Sequence, residues 1–319
     1  MKILVTGAAG LYGVHLVDLL VKDKGISKVY AVDNFSRGFL QKDPFIISKN
    51  FTKKVDVLKR NYQDITAKEF DRWGVDVVVH LAAYVSIPQS MDSPDAYFIN
   101  NEYGTFKLIH TLYGTRGKPL IIYASSPEVY GSPKYLPMDV NHPTDPRSVY
   151  AVTKLAAEKH LRAMHDWYGY PLIIIRNFNT YGENQEIWRY TAVVPEFIRR
   201  ALKNEPIIIH NDGKQTRDFQ YVKDAVSAYH LACKRHKDLN GIILNIGTGS
   251  ETQIKDLAYM VVKLADSMSK IIYEPGRKAD LFALSADISL TTKRIGWQPE
   301  YSLEEGLKRT IEWYRKVLK

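Results

Sequence analysis

A single cysteine, Cys233, in 319 residues rules out an internal disulfide. The expectation is a reducing compartment, the cytoplasm. No stretch is apolar enough to cross a membrane as a helix, so no membrane partner is expected. The opening Met1-Lys2-Ile3-Leu4-Val5-Thr6-Gly7 stops at glycine, too short an apolar run for a signal peptide. Internal repeats and low-complexity segments are absent. Net charge is +9, yet no dense basic run interleaves with aromatics, which argues against nucleic acid as a partner. The positive excess then either solvates the surface or attracts an anionic ligand such as a diphosphate. What remains is an ordinary globular composition, 45% hydrophobic and 25% charged, long enough for one large or two medium domains.

Short β-branched runs alternate with helical patterns over the first half. Ile3–Thr6, Val29–Asp33, Val75–Leu81, Leu120–Ser125 and Leu172–Arg176 read as strands, nearly continuous in apolar residues. Parallel strands covered on both faces have that pattern. Between the first two, Val14, Val17, Leu20 and Val21 share one face of a helix over Leu11–Lys22. The alternation predicts an α/β fold with a doubly wound parallel sheet. After about Asn179 glycine and proline punctuate shorter segments, which predicts a smaller second lobe. The expected division is 1–178 for the sheet domain, rejoined by about 220–247 through the apolar strand Ile242–Ile246, and 179–319 mainly for the lobe. Ser302 and Glu305 form a capping box ahead of a final helix striped with Leu303, Leu307, Ile311, Tyr314 and Leu318.

Gly7-Ala8-Ala9-Gly10-Leu11-Tyr12-Gly13 joins the first strand to the first helix. Glycines there allow a tight turn and close backbone approach, with helix N–H groups facing a pyrophosphate. Asp33 follows twenty residues after Gly13, at the end of the second strand, and Asn34 is next to it. A carboxylate in that place accepts from ribose hydroxyls and repels a 2′-phosphate, which predicts NAD over NADP. Arg37 is close enough in sequence to soften that preference. Asp56-Val57, taken as the end of the third strand, is either an adenine contact or surface. Farther on, Tyr150-Ala151-Val152-Thr153-Lys154 opens a helix, placing tyrosine and lysine on one face. An ammonium beside a phenol favours the phenolate, which can take a hydroxyl proton. Ser125-Ser126 ends the fifth strand, at the crevice where open α/β sheets bind ligands.

Together these residues resemble the extended short-chain dehydrogenase/reductase family, and within it the sugar-nucleotide epimerases and dehydratases. The resemblance covers essentially the whole chain. It runs through Gly7, Gly10 and Gly13, then His80-Leu81-Ala82-Ala83, then Asn101 before Gly104-Thr105. It continues through Ser126 in Ser125-Ser126-Pro127-Glu128-Val129-Tyr130-Gly131, and through Tyr150 with Lys154. It implies a Rossmann-type sheet, a C-terminal α/β substrate-binding lobe and an NAD cofactor. The implied cofactor contacts are the three glycines with Leu11, Tyr12, Asp33, Asn34, Asp56, Val57, Leu81, Ala82, Ala83, Asn101, Tyr150 and Lys154. Ser126, Tyr150 and Lys154 become the catalytic group. On the substrate side Asn179 matches a diphosphate-holding asparagine, and Arg217 and Arg277 match phosphate-pairing arginines. Guanidinium groups suit that task through forked, charge-assisted hydrogen bonds. His210 stands where relatives stack an aromatic on the base, or is an exposed loop residue; Ser86 and Val194 complete the implied substrate contacts, and Leu284 falls at a pocket-size position.

The resemblance implies a nucleotide-sugar 4-epimerase, with a UDP-hexose as substrate. A 4,6-dehydratase uses an acidic pair after the active-site hydroxyl, and here those positions are Pro127 and Glu128. Decarboxylases acting on UDP-glucuronate also carry a glutamate where Glu128 stands, which keeps Glu128 as a catalytic candidate. The loop Val85-Ser86-Ile87-Pro88-Gln89-Ser90 resembles the epimerase version. An NAD-binding regulatory module that has lost its chemistry is the alternative from another class. A homodimer is expected through Asp95–Thr115 and Val149–Tyr168, which carry more apolar surface than one sheet contact needs.

Overall fold

The buried β-branched runs assemble into one parallel sheet. The computed structural model describes residues 1–36, 53–187, 192–276 and 281–318. Strands β1 (Lys2–Thr6), β2 (Lys28–Asp33), β3 (Val55–Lys59), β4 (Val77–His80), β5 (Leu120–Ser125) and β6 (Leu172–Asn177) are joined by Ile242–Ile246. Their spatial order is Ile242–Ile246, β6, β5, β4, β1, β2, β3, and every neighbouring pair is parallel. On one face Leu16, Val17 and Leu20 of helix Leu11–Lys22 pack with Ala225, Val226 and Tyr229 of helix Val222–Lys234. Leu108, Ile109 and Leu112 of helix Gly104–Tyr113, with Ala157, Leu161 and Met164 of helix Val149–Tyr168, cover the other. Strand order reverses between β1 and β4, so connections diverge there and open a crevice at the carboxyl ends of the strands.

Two strands, β4 and β3, depart from the sequence reading by two residues at an end. β4 is shorter than Val75–Leu81, although Asp76 and Leu81 still donate to Lys2 O and Thr6 O at 2.9 and 3.2 Å. β3 runs on to Lys59, which lies beside Asp33, while Asp56 lies beside Tyr30. Asp56 and Val57 are therefore inside the strand, two to three residues short of the crevice.

The chain beyond Asn179 forms two-stranded pairs: Asn179–Tyr181 with Phe219–Tyr221, Thr216–Arg217 with Thr252–Gln253, and Ile207–His210 with Ile271–Glu274. Asp218 ties this part together. Its buried carboxylate accepts from Thr248 N–H and Oγ1 at 2.7 and 2.6 Å, Gly249 N–H at 3.0 Å and Ala286 N–H at 3.1 Å. Helix Leu303–Val317 begins at the capping box, with Glu305 N–H on Ser302 Oγ and Ser302 N–H on Glu305 Oε2.

On the sheet face covered by helix Val149–Tyr168, Arg176 and Glu158 form a forked pair at 3.0 and 2.7 Å, both at most 5% exposed. Arg176 also lies over the Tyr130 ring at 4.6 Å. A buried pair of this kind is worth little against apolar isosteres, but removing one member strands the other. Glu158→Ala is expected to cost about 3–5 kcal/mol in urea unfolding, and the double variant Glu158→Leu/Arg176→Met much less. A single variant within about 1 kcal/mol of wild type would contradict the stranded-charge account.

Candidate active site

The glycine loop is shaped by what a side chain would strike. Gly7 has φ +67°, and a Cβ on it would lie 2.7 Å from Ala82 N. One on Gly13 would lie 2.2 Å from Gly7 O and 2.5 Å from Ala8 Cα. Those positions therefore bring backbone against backbone, β1 against the residues after β4. Gly10 precedes helix Leu11–Lys22 with no side-chain cap, so the first-turn N–H groups have no intrahelical acceptor. An uncapped helix start above a bare glycine cradle fits a pyrophosphate. Asp33 borders the cradle: Oδ2 accepts from Ala9 N–H at 3.0 Å and Oδ1 from Phe35 N–H at 2.8 Å. An ionised carboxylate has roughly four acceptor positions, so capacity for ribose hydroxyls remains.

His80 pins the crevice from behind. Thr105 Oγ1 donates to Asn101 O at 2.6 Å, so it must accept from His80 Nε2–H at 3.0 Å. His80 Nδ1 then accepts from Thr6 Oγ1–H at 2.7 Å, and Thr6 Oγ1 accepts from Ala82 N–H at 3.2 Å. One neutral tautomer satisfies the whole chain. Full burial enforces it by taking the imidazole down to about 3. Asn101 lies in a π-helical turn, Phe98–Tyr103, a distortion frequent at functional sites. Its amide clamps both backbone groups of Tyr84 at 2.8 Å, so its direct work here is to shape the loop after Ala83.

Ser148 caps helix Val149–Tyr168 by accepting from Ala151 N–H at 3.2 Å, which sets Tyr150 and Lys154 in its first two turns. The Tyr150 ring is buried edge-on to Tyr97, with centroids 6.4 Å apart. Tyr97 in turn accepts from Ser86 N–H at 3.0 Å, linking the Val85–Ser90 loop to Tyr150. Lys154 Nζ donates to Ala124 O at 2.5 Å, at the carboxyl end of β5. Burial draws its ammonium down to about 7, with Glu158 pulling the other way. Next along β5, Ser125 Oγ is buried with no hydrogen-bond partner among the described residues, and Asn177 Nδ2 donates to Ser125 O at 3.1 Å. Ser126 caps the turn Pro127–Val129, accepting from Glu128 N–H at 3.3 Å; Pro127 is buried and Glu128 half-buried. Leu284 is fully buried with Tyr130 and Phe178 behind that turn.

In the second lobe Asn179 Oδ1 and His210 Nδ1 are buried with no hydrogen-bond partner among the described residues. Buried polar atoms of that kind call for a missing partner. Arg217 is oriented by Nη1 donating to Thr216 O and Leu281 O at 2.7 and 2.9 Å, next to the Asp218 clamp. The Val194 side chain is in the core at 2% exposure, in the first turn of helix Val193–Leu202, so it is not available to a ligand. Arg37 and Arg277 lie outside the described residues.

Gly7, Gly10, Gly13, Leu11, Tyr12, Asp33, Asn34, Leu81, Ala82, Ala83, Ser126, Tyr150 and Lys154 are thus on segments that converge at the carboxyl edge of the sheet. Asp56 and Val57 do not join them. Asp56 pairs with Lys28 at 2.6 Å and Val57 is 47% exposed. Just past that strand end lies Asn61, whose Oδ1 accepts from Asn34 Nδ2 at 2.7 Å. A polar side chain just past β3 was its only sequence signal. His80 had a better one, a polar residue closing an all-valine strand.

Residues 3–247 match the model of the family described as NAD dependent epimerase/dehydratase. A putative UDP-glucose 4-epimerase of Methanocaldococcus jannaschii is 32% identical, covering 98% of both chains. A UDP-N-acetyl-alpha-D-glucosaminuronate decarboxylase of Bacillus cytotoxicus is also 32% identical, covering 99% of this chain and 98% of its own. The UDP-glucose 4-epimerase of Thermotoga maritima, solved with UDP-glucose, superposes with TM-score 0.89 at 31% identity over the whole of both chains. The UDP-glucuronic acid 4-epimerase of Bacillus cereus, solved with UDP-glucuronic acid and NAD, reaches TM-score 0.90 at 28% identity, covering 99% of this chain and 100% of its own.

Asp33→Asn keeps an acceptor for the loop but removes the charge that opposes a 2′-phosphate. Calorimetric titration should find NAD affinity within a few-fold of wild type and NADP affinity raised roughly tenfold, about 1.4 kcal/mol. Unchanged NADP affinity would remove Asp33 from the selection of cofactor.

Proposed function

For a chain that belongs to the NAD-dependent epimerase/dehydratase family, we propose a nucleotide-sugar 4-epimerase that acts on a UDP-hexose. When bound, NAD supplies a reversible two-electron oxidant for the sugar C4 carbinol. Tyr150 takes the C4 hydroxyl proton, and the Lys154 ammonium favours the phenolate that does so. Ser126 hydrogen-bonds the same hydroxyl. Asn179 and Arg217, with Arg277, anchor the diphosphate, and His210 meets the base. Anchoring at the diphosphate leaves the keto sugar able to turn and be reduced from its other face. The same reading places the enzyme in the cytoplasm.

The observation that carries epimerisation over elimination is Pro127. It is buried at the head of the turn after Ser126 and has no side-chain proton to give a leaving hydroxyl. Glu128 is what favours a second reading, dehydration or decarboxylation, because a half-buried carboxylate occupies that same turn. A regulatory module without chemistry is disfavoured by the retained Ser126, Tyr150 and Lys154.

With UDP-hexoses and no added NAD, the expected product is a C4 epimer of unchanged mass. Tyr150→Phe should keep NAD binding and lose at least roughly a hundredfold in turnover, while Glu128→Gln stays within a few-fold of wild type. Loss of water or of carbon dioxide in the product would give the reaction to the second reading.

The same proposal includes a homodimer. Phe98, Ile99, Tyr103, Phe106 and Val152 are all exposed on the outer side of the 98–113 and 149–168 segments, a contiguous apolar surface of the sort that pairs with a second copy. Light scattering at micromolar concentration should return twice the chain mass, and Phe106→Glu should return the monomer. A wild-type monomer counts against the pairing.

A further inference from the structure

We propose that Tyr123 is a positioning residue: the face of its ring holds the Lys154 ammonium in its charged form at the carboxyl end of β5. The inference rests on the reading of Lys154 as the partner of Tyr150.

Lys154 is 4% exposed, and an ammonium there loses nearly all its water. Its Nζ donates to Ala124 O and lies 4.6 Å from the centroid of the Tyr123 ring. That distance is within the range of a cation–π contact, which strengthens when water is excluded. The other groups around Lys154 do less for its charge. Tyr150 on the same helix needs the cation to lose its own proton. Both Glu158 oxygens are engaged by Arg176, which offsets most of that carboxylate's charge. On β4, His80 is kept neutral, so it adds no repulsion. Tyr62 and Tyr229, whose charges would act on Tyr123, are phenols that burial pushes up.

The Tyr123 hydroxyl cannot be the active part. Burial raises it far above the ordinary phenol range, so it never ionises near neutrality. It also has no hydrogen-bond partner among the described residues. What the side chain brings to Lys154 is the ring, whose centroid is also 5.8 Å from that of His80.

The test reads Lys154 directly. In the purified full chain with 13C at lysine Cε, a lysine that titrates near 7 is separated from all ordinary surface lysines, and Lys154→Arg identifies it. Tyr123→Phe should leave its midpoint in place. Tyr123→Leu should lower it by about one pH unit. Replacing Tyr123 by phenylalanine with one, two and three ring fluorines keeps the shape, weakens the ring face, and should lower the midpoint stepwise. The alkaline limb of the rate profile should move down with it, because the cation is lost at lower pH. A midpoint that stays fixed through the fluorine series overturns the proposal, whatever reaction the enzyme catalyses. A stepwise fall supports it even if no nucleotide sugar is epimerised, an outcome that would sink only the functional reading.

Discussion

One neutral imidazole sets the carboxyl edge of this sheet. His80 takes a hydrogen bond from Thr6 on β1 and gives one to Thr105 at the start of the helix that follows Asn101. Through Thr6 the chain reaches Ala82 N–H, and through Thr105 it reaches Asn101 and then Tyr84. These groups bracket the place where strand order reverses. The glycine loop can lie against Ala82 only because both sides are held at fixed depth. A charged imidazole would have no acceptor for its second proton, so burial and function demand the same protonation state.

The molecule keeps several charges away from water and treats each differently. Arg176 and Glu158 neutralise each other in a fork. Asp218 accepts from four donors on two other segments, 248–249 and Ala286, beside Arg217. Lys154 has a carbonyl and an aromatic face, partners too weak to lock it fully charged. The first two are held by fixed partners, a guanidinium in one case and four N–H and O–H donors in the other. The third remains responsive, as the proposed role of Lys154 beside Tyr150 requires.

The second lobe follows another principle. Asn179 Oδ1 and His210 Nδ1 are buried yet left without protein partners among the described residues, and Arg217 is held by backbone carbonyls. Unsatisfied buried polar atoms cost stability in the bare protein, and the proposed substrate contacts would complete these two.

Local sequence was sufficient for whatever depends on local rules. Buried parallel strands show as apolar runs, glycine marks a loop that tolerates no Cβ, and Ser302 with Glu305 caps a helix through contacts three residues apart. The Tyr150–Lys154 spacing likewise puts both residues on one helix face. Tertiary structure alone decided what depends on register and depth. Asp56 and Asn61 are similar polar residues five positions apart, and only the pairing of Lys59 with Asp33 shows which one reaches the crevice. Val194 reads as a pocket residue until the core takes its side chain. Tyr123 reads as one more apolar strand position, because its relation to Lys154 spans 31 residues of chain and exists only once β5 and the helix pack. Pairwise contacts over such separations leave no periodicity behind, so no pattern in the chain could have announced them.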